Sequence, residues 1–154
     1  MDIKKILIPY NFTDLDKKAL AFVGQTFSHI QEVEVALFNV YTPIPSIAMT
    51  GSPVMKKMHE NLSYLNNLIA EQEDALKKAK EILLSEGFSK NSVRIVFKPK
   101  KMDIASHIIE TAMKEKHDVI VINRKSGKVG RFFTGSVFNK IITSLKDMTI
   151  CVIS

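Results

Sequence analysis

The chain has 154 residues, of which 45% are hydrophobic and 25% are charged, and its formal net charge is +6. These values lie in the range of ordinary globular proteins, so we expect a single domain over residues 1–154 with a substantial core. The sequence also excludes a membrane-spanning protein, because no apolar run approaches the roughly 20 residues that a spanning helix requires.

The first part of the chain alternates strand-like and helix-like patterns. Ile3 to Pro9 is too short an apolar run for a signal peptide, so we predict a buried first strand. Thr13 and Asp16 form a capping-box pattern at the start of a helix whose apolar face runs to Ile30. Val33 to Tyr41 has the composition of a second strand, and the prolines that follow end it.

A long helix is predicted after a loop that contains Gly51. Its apolar residues recur at spacings of three and four, interrupted by Gln72, and Gly87 ends it. This stripe is compatible with a coiled coil, but we favour a helix laid across a sheet. The stripe consists of Met55, Met58, Leu62, Leu65, Ile69, Leu76, Ala79 and Leu83.

The remaining elements continue the alternation of strand and helix. Asp103 is predicted to cap a helix whose inward face runs from Ile104 to Met113. Apolar strands that alternate with amphipathic helices indicate an open, doubly wound, five-stranded parallel α/β sheet with helices on both faces. The other predicted elements are strands Val93–Phe97, Val119–Ile122 and Thr149–Ile153 and a helix from Ser136 to about Leu145.

A basic loop with two glycines follows the fourth predicted strand and leads to Gly135-Ser136, where a helix is predicted to begin. Glycines permit close approach of backbone N–H groups, and a helix N-terminus favours an anion. In open α/β sheets, ligands bind beyond the carboxyl ends of the strands, which is where this loop begins. The segment therefore indicates a phosphate-binding site.

Several catalytic classes lack their required residues. No aspartate or glutamate closes the first or fourth strand, as a magnesium-dependent phosphotransfer site requires. Asp14, Asp16 and Asp103 are interpreted as helix caps and first-turn charges. Neither GxxxxGK[ST] nor GxGxxG occurs, and the four histidines do not cluster in the sequence. We expect no enzymatic activity, no catalytic residues and no metal site.

Five segments, taken in order, resemble the universal stress protein family over essentially the whole chain. The first resembles the signature of the family's first strand, and the others resemble its first helix, fourth strand, last helix start and closing strand. The resemblance implies the adenine nucleotide alpha hydrolase-like fold, a role in stress response and a homodimer through the last strand. The segments are Lys5–Thr13, Lys18–Leu20, Asp118–Ile122, Gly135–Val137 and Thr149–Ile153.

Members of the family that bind ATP share a Gly-x2-Gly-x9-Gly-Ser/Thr loop, and this sequence departs from it. The first two glycines fall on Asn123 and Ser126, and eight residues, not nine, separate Ser126 from Gly135. The strand-one aspartate, which contacts the nucleoside in binders, falls on Asn11. Compensation is available from a displaced glycine pair and from added positive charge, at Gly127, Gly130, Lys125, Lys128 and Arg131.

Strand ends and resemblance together predict a site for ATP or a related adenine nucleotide. The base lies near Pro9, Asn11 and Val40, and the phosphates lie near the end of strand four and the start of the last helix. Tyr10 would fill the base pocket if its ring turned inward. The complete predicted set is Pro9, Asn11, Val40, Ile122, Asn123, Lys125, Ser126, Gly135, Ser136 and Val137.

Two functions are compatible with these observations. The first is a cytoplasmic stress-response protein that binds a nucleotide or other phosphate-bearing ligand as a non-catalytic sensor or regulator. The second is a family member that does not bind ATP and acts through protein contacts, as Asn11, Asn123 and the shortened loop indicate. Nucleic-acid binding has less support, because few aromatic residues interleave with the lysines.

The last predicted strand and its cysteine bear on the assembly and the cellular location that we expect. The single cysteine, Cys151, excludes an internal disulfide and fits a reducing cytoplasm. Thr149 to Ser154 is short and apolar, so we expect it to be a sheet edge that pairs with a second copy to form a homodimer. No membrane partner is expected.

Overall fold

The computed structural model describes residues 3–44, 53–124 and 135–154, which form a layered α/β structure. Each predicted strand and helix is present with nearly the predicted bounds. The strands are β1 Lys4–Pro9, β2 Val33–Tyr41, β3 Val93–Pro99, β4 Val119–Asn123 and β5 Thr149–Ile153. The helices are α1 Asp14–Phe27, α2 Pro53–Ser85, α3 Ile104–Lys114 and α4 Gly135–Ser144, with a short 3-10 turn at Lys90–Ser92.

The five strands form one parallel sheet in the order β3-β2-β1-β4-β5, which confirms the predicted fold class. β3 runs two residues beyond the predicted Phe97, because it pairs with β2 as far as Tyr41 and Pro99. β5 lies at one edge of the sheet, as predicted. None of the helices in the described ranges is long and apolar enough to cross a membrane.

Successive strand residues point to opposite faces of the sheet, so the core has two halves. On one face, α1 and the end of α2 cover Ile6 and Ile8 of β1. On the other, α3 and α4 cover Leu7 of β1 and Ile122 of β4. The continuous apolar strands in the sequence follow from this arrangement, because the central strands are buried on both faces.

The helix ends follow local sequence signals. At the start of α1, the Thr13 hydroxyl accepts a hydrogen bond from the Asp16 backbone N–H, while the Asp16 carboxylate accepts one from the Thr13 backbone N–H. After the end of α2, Gly87 adopts a φ of +122°, a conformation that residues with a Cβ atom rarely adopt. Both predicted signals are confirmed.

Two predicted inward-facing residues are exposed. Ile30 was expected on the apolar face of the first helix, but α1 ends at Phe27 and Ile30 is 52% exposed. Met113 was expected to face the core from α3, but it is 63% exposed. The buried residues Ile108 and Ala112 define the inward face of α3, and Met113 lies about 100° around the helix from Ala112.

The long helix α2 is laid across the sheet only over its last third. Leu76, Ala79 and Leu83 are buried, whereas Met58 and Leu65 of the same stripe are 39% and 40% exposed. A helix of 33 residues is about 50 Å long, whereas the nine-residue strand β2 spans only about 30 Å. The prediction that the whole stripe packs on the sheet is therefore wrong for its first two-thirds.

Candidate functional site

The order of the strands reverses beside β1, because β2 lies on one side of it and β4 on the other. The chain leaves β1 towards α1 and leaves β4 towards α4, so these two connections diverge at the carboxyl ends of the strands. A crevice at such a reversal is where open α/β sheets bind ligands. The candidate site is therefore the carboxyl edge of β1 and β4.

The carboxylate of Asp16 connects the two strand ends at this edge. Its Oδ1 accepts a hydrogen bond of 2.6 Å from Nδ2 of Asn123, the last residue of β4. Its Oδ2 accepts hydrogen bonds from the backbone N–H groups of Asn11 and Thr13, both at 3.0 Å, and from the Thr13 hydroxyl at 2.8 Å. Asp16 and Asn123 are almost completely buried. Four donors compensate the desolvation of this carboxylate.

Sequence reasoning identified Asp16 only as part of a helix cap. The cap is confirmed, but the contact with Asn123 joins residues 107 positions apart and has no local signature. Asn11 and Asn123, which replace the aspartate and the first glycine of the ATP-binding pattern, therefore meet through Asp16. Asn123 lies within a strand, so its position does not require the left-handed conformation that glycine would supply.

Three predicted site residues, Pro9 and Val40 of the base site and Ile122 of the wider set, lie on the face of the sheet covered by α3 and α4. Val40 and Ile122 belong to the core on that face, and Pro9 shares it because it follows Leu7 by two positions in β1. All three are buried. The edge of this hydrophobic layer is apolar enough to contact a planar base.

Tyr10 turns inward, but towards the opposite face. Its ring packs in the core beside α1 and α2 and contacts Phe12 edge to face, with ring centroids 5.2 Å apart. Burial, followed by the negative charge of Asp16, raises the pKa of the Tyr10 hydroxyl. The ring therefore does not occupy the layer that contains Val40 and Ile122.

Lys98 contributes a positive charge close to Val40 that sequence reasoning missed. It pairs with Val40 in the register of β2 and β3, and its Nζ lies 5.5 Å from the centre of the Phe38 ring. The Thr111 hydroxyl lies 3.1 Å from the same Nζ, so the side chain is held between β2 and α3. A lysine directly after the apolar run from Ile95 to Phe97 was the available signal.

His107 fixes the loop between β3 and α3 at the same edge of the sheet. Its Nε2 accepts hydrogen bonds from the backbone N–H groups of Lys101, at 2.9 Å, and Met102, at 3.2 Å. Burial, together with the charge of Lys98, lowers the pKa of the imidazole, which favours the neutral form that these two bonds require. His107 is a structural residue of the site's border.

Asn39 is a second polar residue that the sequence analysis missed. It interrupts the apolar strand β2, and its Nδ2 donates a 2.8 Å hydrogen bond to the backbone carbonyl of Tyr10. This bond holds the first residue after β1 against β2. An asparagine inside the apolar run from Val35 to Val40 was the signal that could have identified it.

The helix N-termini at this edge differ in their ability to accept an external anion. Asp16 provides a carboxylate at the start of α1, and Asp103 provides one at the start of α3 by accepting from the Ser106 N–H at 2.9 Å. Hydrogen bonds from Ser106 hold the pKa of Asp103 below its usual range. By contrast, α4 begins at Gly135 and has no acidic residue in its first turn.

The predicted phosphate site lies only partly within the described residues. Lys125 and Ser126 lie outside the described residues, as do the added charges at Lys128 and Arg131. Gly135 and Ser136 are placed as the first two residues of α4, which confirms the predicted helix start to within one residue. Val137 is half-buried against the core beneath α4.

The sequence of the chain matches the model of one protein family. The model of the universal stress protein family matches residues 2–152. The chain belongs to the universal stress protein family. No curated protein matches the chain significantly.

Solved structures of this family share the fold at low sequence identity. Universal stress protein UspA from Lactobacillus plantarum is 15% identical, with a TM-score of 0.69 over 100% of this chain and 99% of that one. A universal stress protein from Archaeoglobus fulgidus, in complex with dAMP, is 17% identical, with a TM-score of 0.63 over 99% and 98%. A universal stress protein in complex with cAMP is 15% identical, with a TM-score of 0.60 over 100% and 98%.

Proposed function

We propose that this universal stress protein binds an adenine nucleotide or a related phosphate-bearing ligand at the carboxyl edge of β1 and β4. In this proposal it acts as a non-catalytic sensor or regulator in the cytoplasm. The observation that carries the proposal is the start of α4 at Gly135, beside the reversal of strand order and without an acidic residue in its first turn. The positive end of the helix dipole at this start suits a phosphate.

The distribution of charge supports this position for the phosphates. At α1 the backbone donors of Asn11 and Thr13 already bind the carboxylate of Asp16, and at α3 the carboxylate of Asp103 already binds Ser106. A phosphate at either helix would meet a carboxylate, whereas the first turn of α4 contains no acidic residue. The base would then contact the apolar layer near Val40, on the side where Tyr10 does not intrude.

The relatives in complex with dAMP and cAMP support a ligand of this class. Both ligands combine an adenine base with one phosphate, so a triphosphate is not a requirement for binding to this fold.

Thermal unfolding with ATP, ADP, AMP, dAMP and cAMP tests the proposal. A ligand present at one hundred times its dissociation constant stabilises the folded state by about 2.7 kcal/mol. Gly135→Val should remove this stabilisation, because its side chain blocks the approach of phosphate to the first turn of α4. Ser144→Val, at the exposed end of the same helix, is the matched control and should retain it. Absence of stabilisation by all five compounds at millimolar concentration would contradict the proposal.

The hydrogen bond between Asp16 and Asn123 favours a second candidate, a family member that binds no nucleotide and acts through protein contacts. This bond satisfies both side chains without a ligand and keeps a carboxylate between the strand ends. Acid extraction of the purified protein distinguishes the candidates. The second predicts no adenine nucleotide in the extract and no thermal stabilisation, and co-purified nucleotide would contradict it.

A further inference from the structure

The outer segment of α2, residues 53–74, carries an apolar stripe that the described part of the molecule leaves partly uncovered. Met58 and Leu65 are exposed, and Leu62 and Ile69 are half-buried. The buried residues of α2 begin at Leu76, where the helix reaches the sheet. The stripe therefore continues beyond the surface that it covers within its own domain.

The stripe follows a seven-residue repeat. Its residues alternate in spacings of three and four without a break from 55 to 83, with Gln72 as the one polar member. This is the pattern of a coiled-coil seam, in which each side chain fits between four residues of a facing helix. The sheet of the same domain provides the facing surface only for the last part of the repeat, so the outer segment lacks its facing helix among the described residues.

We propose that the outer segment pairs with the same segment of a second copy, antiparallel about a twofold axis midway between Leu62 and Leu65. Leu62 of one copy then faces Leu65 of the other, and Met58 faces Ile69. The pairing buries aliphatic side chains of similar volume against one another on both sides of the axis, as a closed twofold interface requires. This interface is distinct from the edge of β5.

The net charges of the two ends of the outer segment favour the antiparallel direction. Residues 61–70 contain no charged side chain, so the centre of the pair has no like-charge repulsion. The amino part of the segment contains Lys56, Lys57 and Glu60, and its carboxyl end contains Glu71, Glu73 and Asp74. Antiparallel pairing brings these ends of opposite net charge to the same level, whereas parallel pairing places like ends together. Lys56 and Asp74 lie one repeat from outward-facing Ser63 and Asn67, so this attraction acts between the ends over about a Debye length and not within the seam.

The helix dipole favours the same direction. The first turn of α2 contains no acidic residue, so its own sequence leaves the positive end of the dipole uncompensated. An antiparallel second copy supplies its acidic end there. Parallel pairing would instead align Gln72 with Gln72 inside the seam, which requires two buried amides to bind each other. The antiparallel pair places Gln72 at the end of the seam, where water reaches it.

Sedimentation velocity between 5 and 500 µM tests the pairing with two variants of equal charge. Met58→Glu/Leu65→Glu places carboxylates in the seam and should lower the average mass by half at the upper concentration. Ser63→Glu/Asn67→Glu, on the outward side of the helix, is the matched control and should sediment like the unaltered protein. All four positions are exposed, and circular dichroism checks that the helix is retained. Equal masses for the seam variant and the unaltered protein throughout would overturn the proposal.

Disulfide trapping tests the direction of pairing independently. In a Cys151→Ser background, Leu62→Cys protein is mixed with Leu65→Cys protein and oxidised. The antiparallel pair predicts at least tenfold more mixed disulfide than either homodimeric disulfide. Preferential formation of the Leu62→Cys homodimer would show parallel pairing and overturn the proposal, as would equal yields of all three products.

Discussion

Replacing Asn123 with aspartate tests the buried contact that joins β4 to the start of α1. In the native protein the Asn123 amide donates a 2.6 Å hydrogen bond to Oδ1 of Asp16, and both residues are almost completely buried. The variant Asn123→Asp removes the donor and places two carboxylates at this distance. Like charges so close cannot both remain ionised out of water, so one carboxyl group must bind a proton.

The expected loss of stability follows from the cost of that proton. An ordinary aspartate has a pKa of about 3.9, which lies about three pH units below 7. At 1.36 kcal/mol per unit, holding the carboxyl group protonated at pH 7 costs about 4 kcal/mol. For a domain of this size each kcal/mol corresponds to about 2–4 °C, so the midpoint should fall by roughly 8–16 °C. The folded state raises the pKa of the pair, so the lost stability returns as pH falls, by about 1.4 kcal/mol per unit between pH 7 and 5.

Urea unfolding at pH 7, 6 and 5 measures this difference relative to the unaltered protein at each pH. The exchanged pair Asp16→Asn/Asn123→Asp should recover most of the stability, because the new asparagine can donate to the new aspartate and still accept from Asn11 and Thr13. Asn67→Asp, exposed on α2, is the control and should change little. A midpoint for Asn123→Asp equal to the native one, or a deficit independent of pH, would refute the reasoning.

Three further predictions concern other parts of the molecule. Lys116 has a φ of 54°, so Lys116→Gly should stabilise the protein by about 1 kcal/mol in urea unfolding. The control Lys114→Gly, at the last residue of α3, should destabilise it. Equal effects of both substitutions would contradict this explanation. Burial lowers the pKa of His117, so its contribution to stability is complete above about pH 6.5 and declines as pH falls towards its folded-state pKa. Between pH 7 and 5 the free energy of unfolding should therefore fall less for His117→Gln than for the native protein. The exposed control His29→Gln should behave like the native protein, and identical pH profiles of stability for all three proteins would rule the effect out. The backbone N–H of Thr149 and the carbonyl of Ile153 point towards β4, so the N–H of Val152 points outward. Val152→Pro should therefore abolish the predicted pairing through β5 and halve the average mass, with the sheet intact. Light scattering that finds the native protein monomeric at micromolar concentration would exclude that dimer.

Much of the fold could be predicted because its signals are local. The capping box of Thr13 and Asp16, the helix stop at Gly87 and the apolar strands are properties of neighbouring residues, and the structure places each where the sequence predicted it. The candidate site was predictable only to the level of strand ends. Its edge of the sheet follows from the parallel fold, which the alternation of strands and helices already indicated.

The tertiary structure alone decided which of those strand ends share a polar contact. Asp16 has the same local sequence whether or not β4 lies beside β1, so its bond to Asn123 depends on the strand order and has no sequence signal. The same holds for α2, whose repeat is uniform along the helix although only its last third meets the sheet. Periodicity records which side of a helix is apolar, but what covers that side depends on where the sheet ends, because burial is a property of the assembled layers.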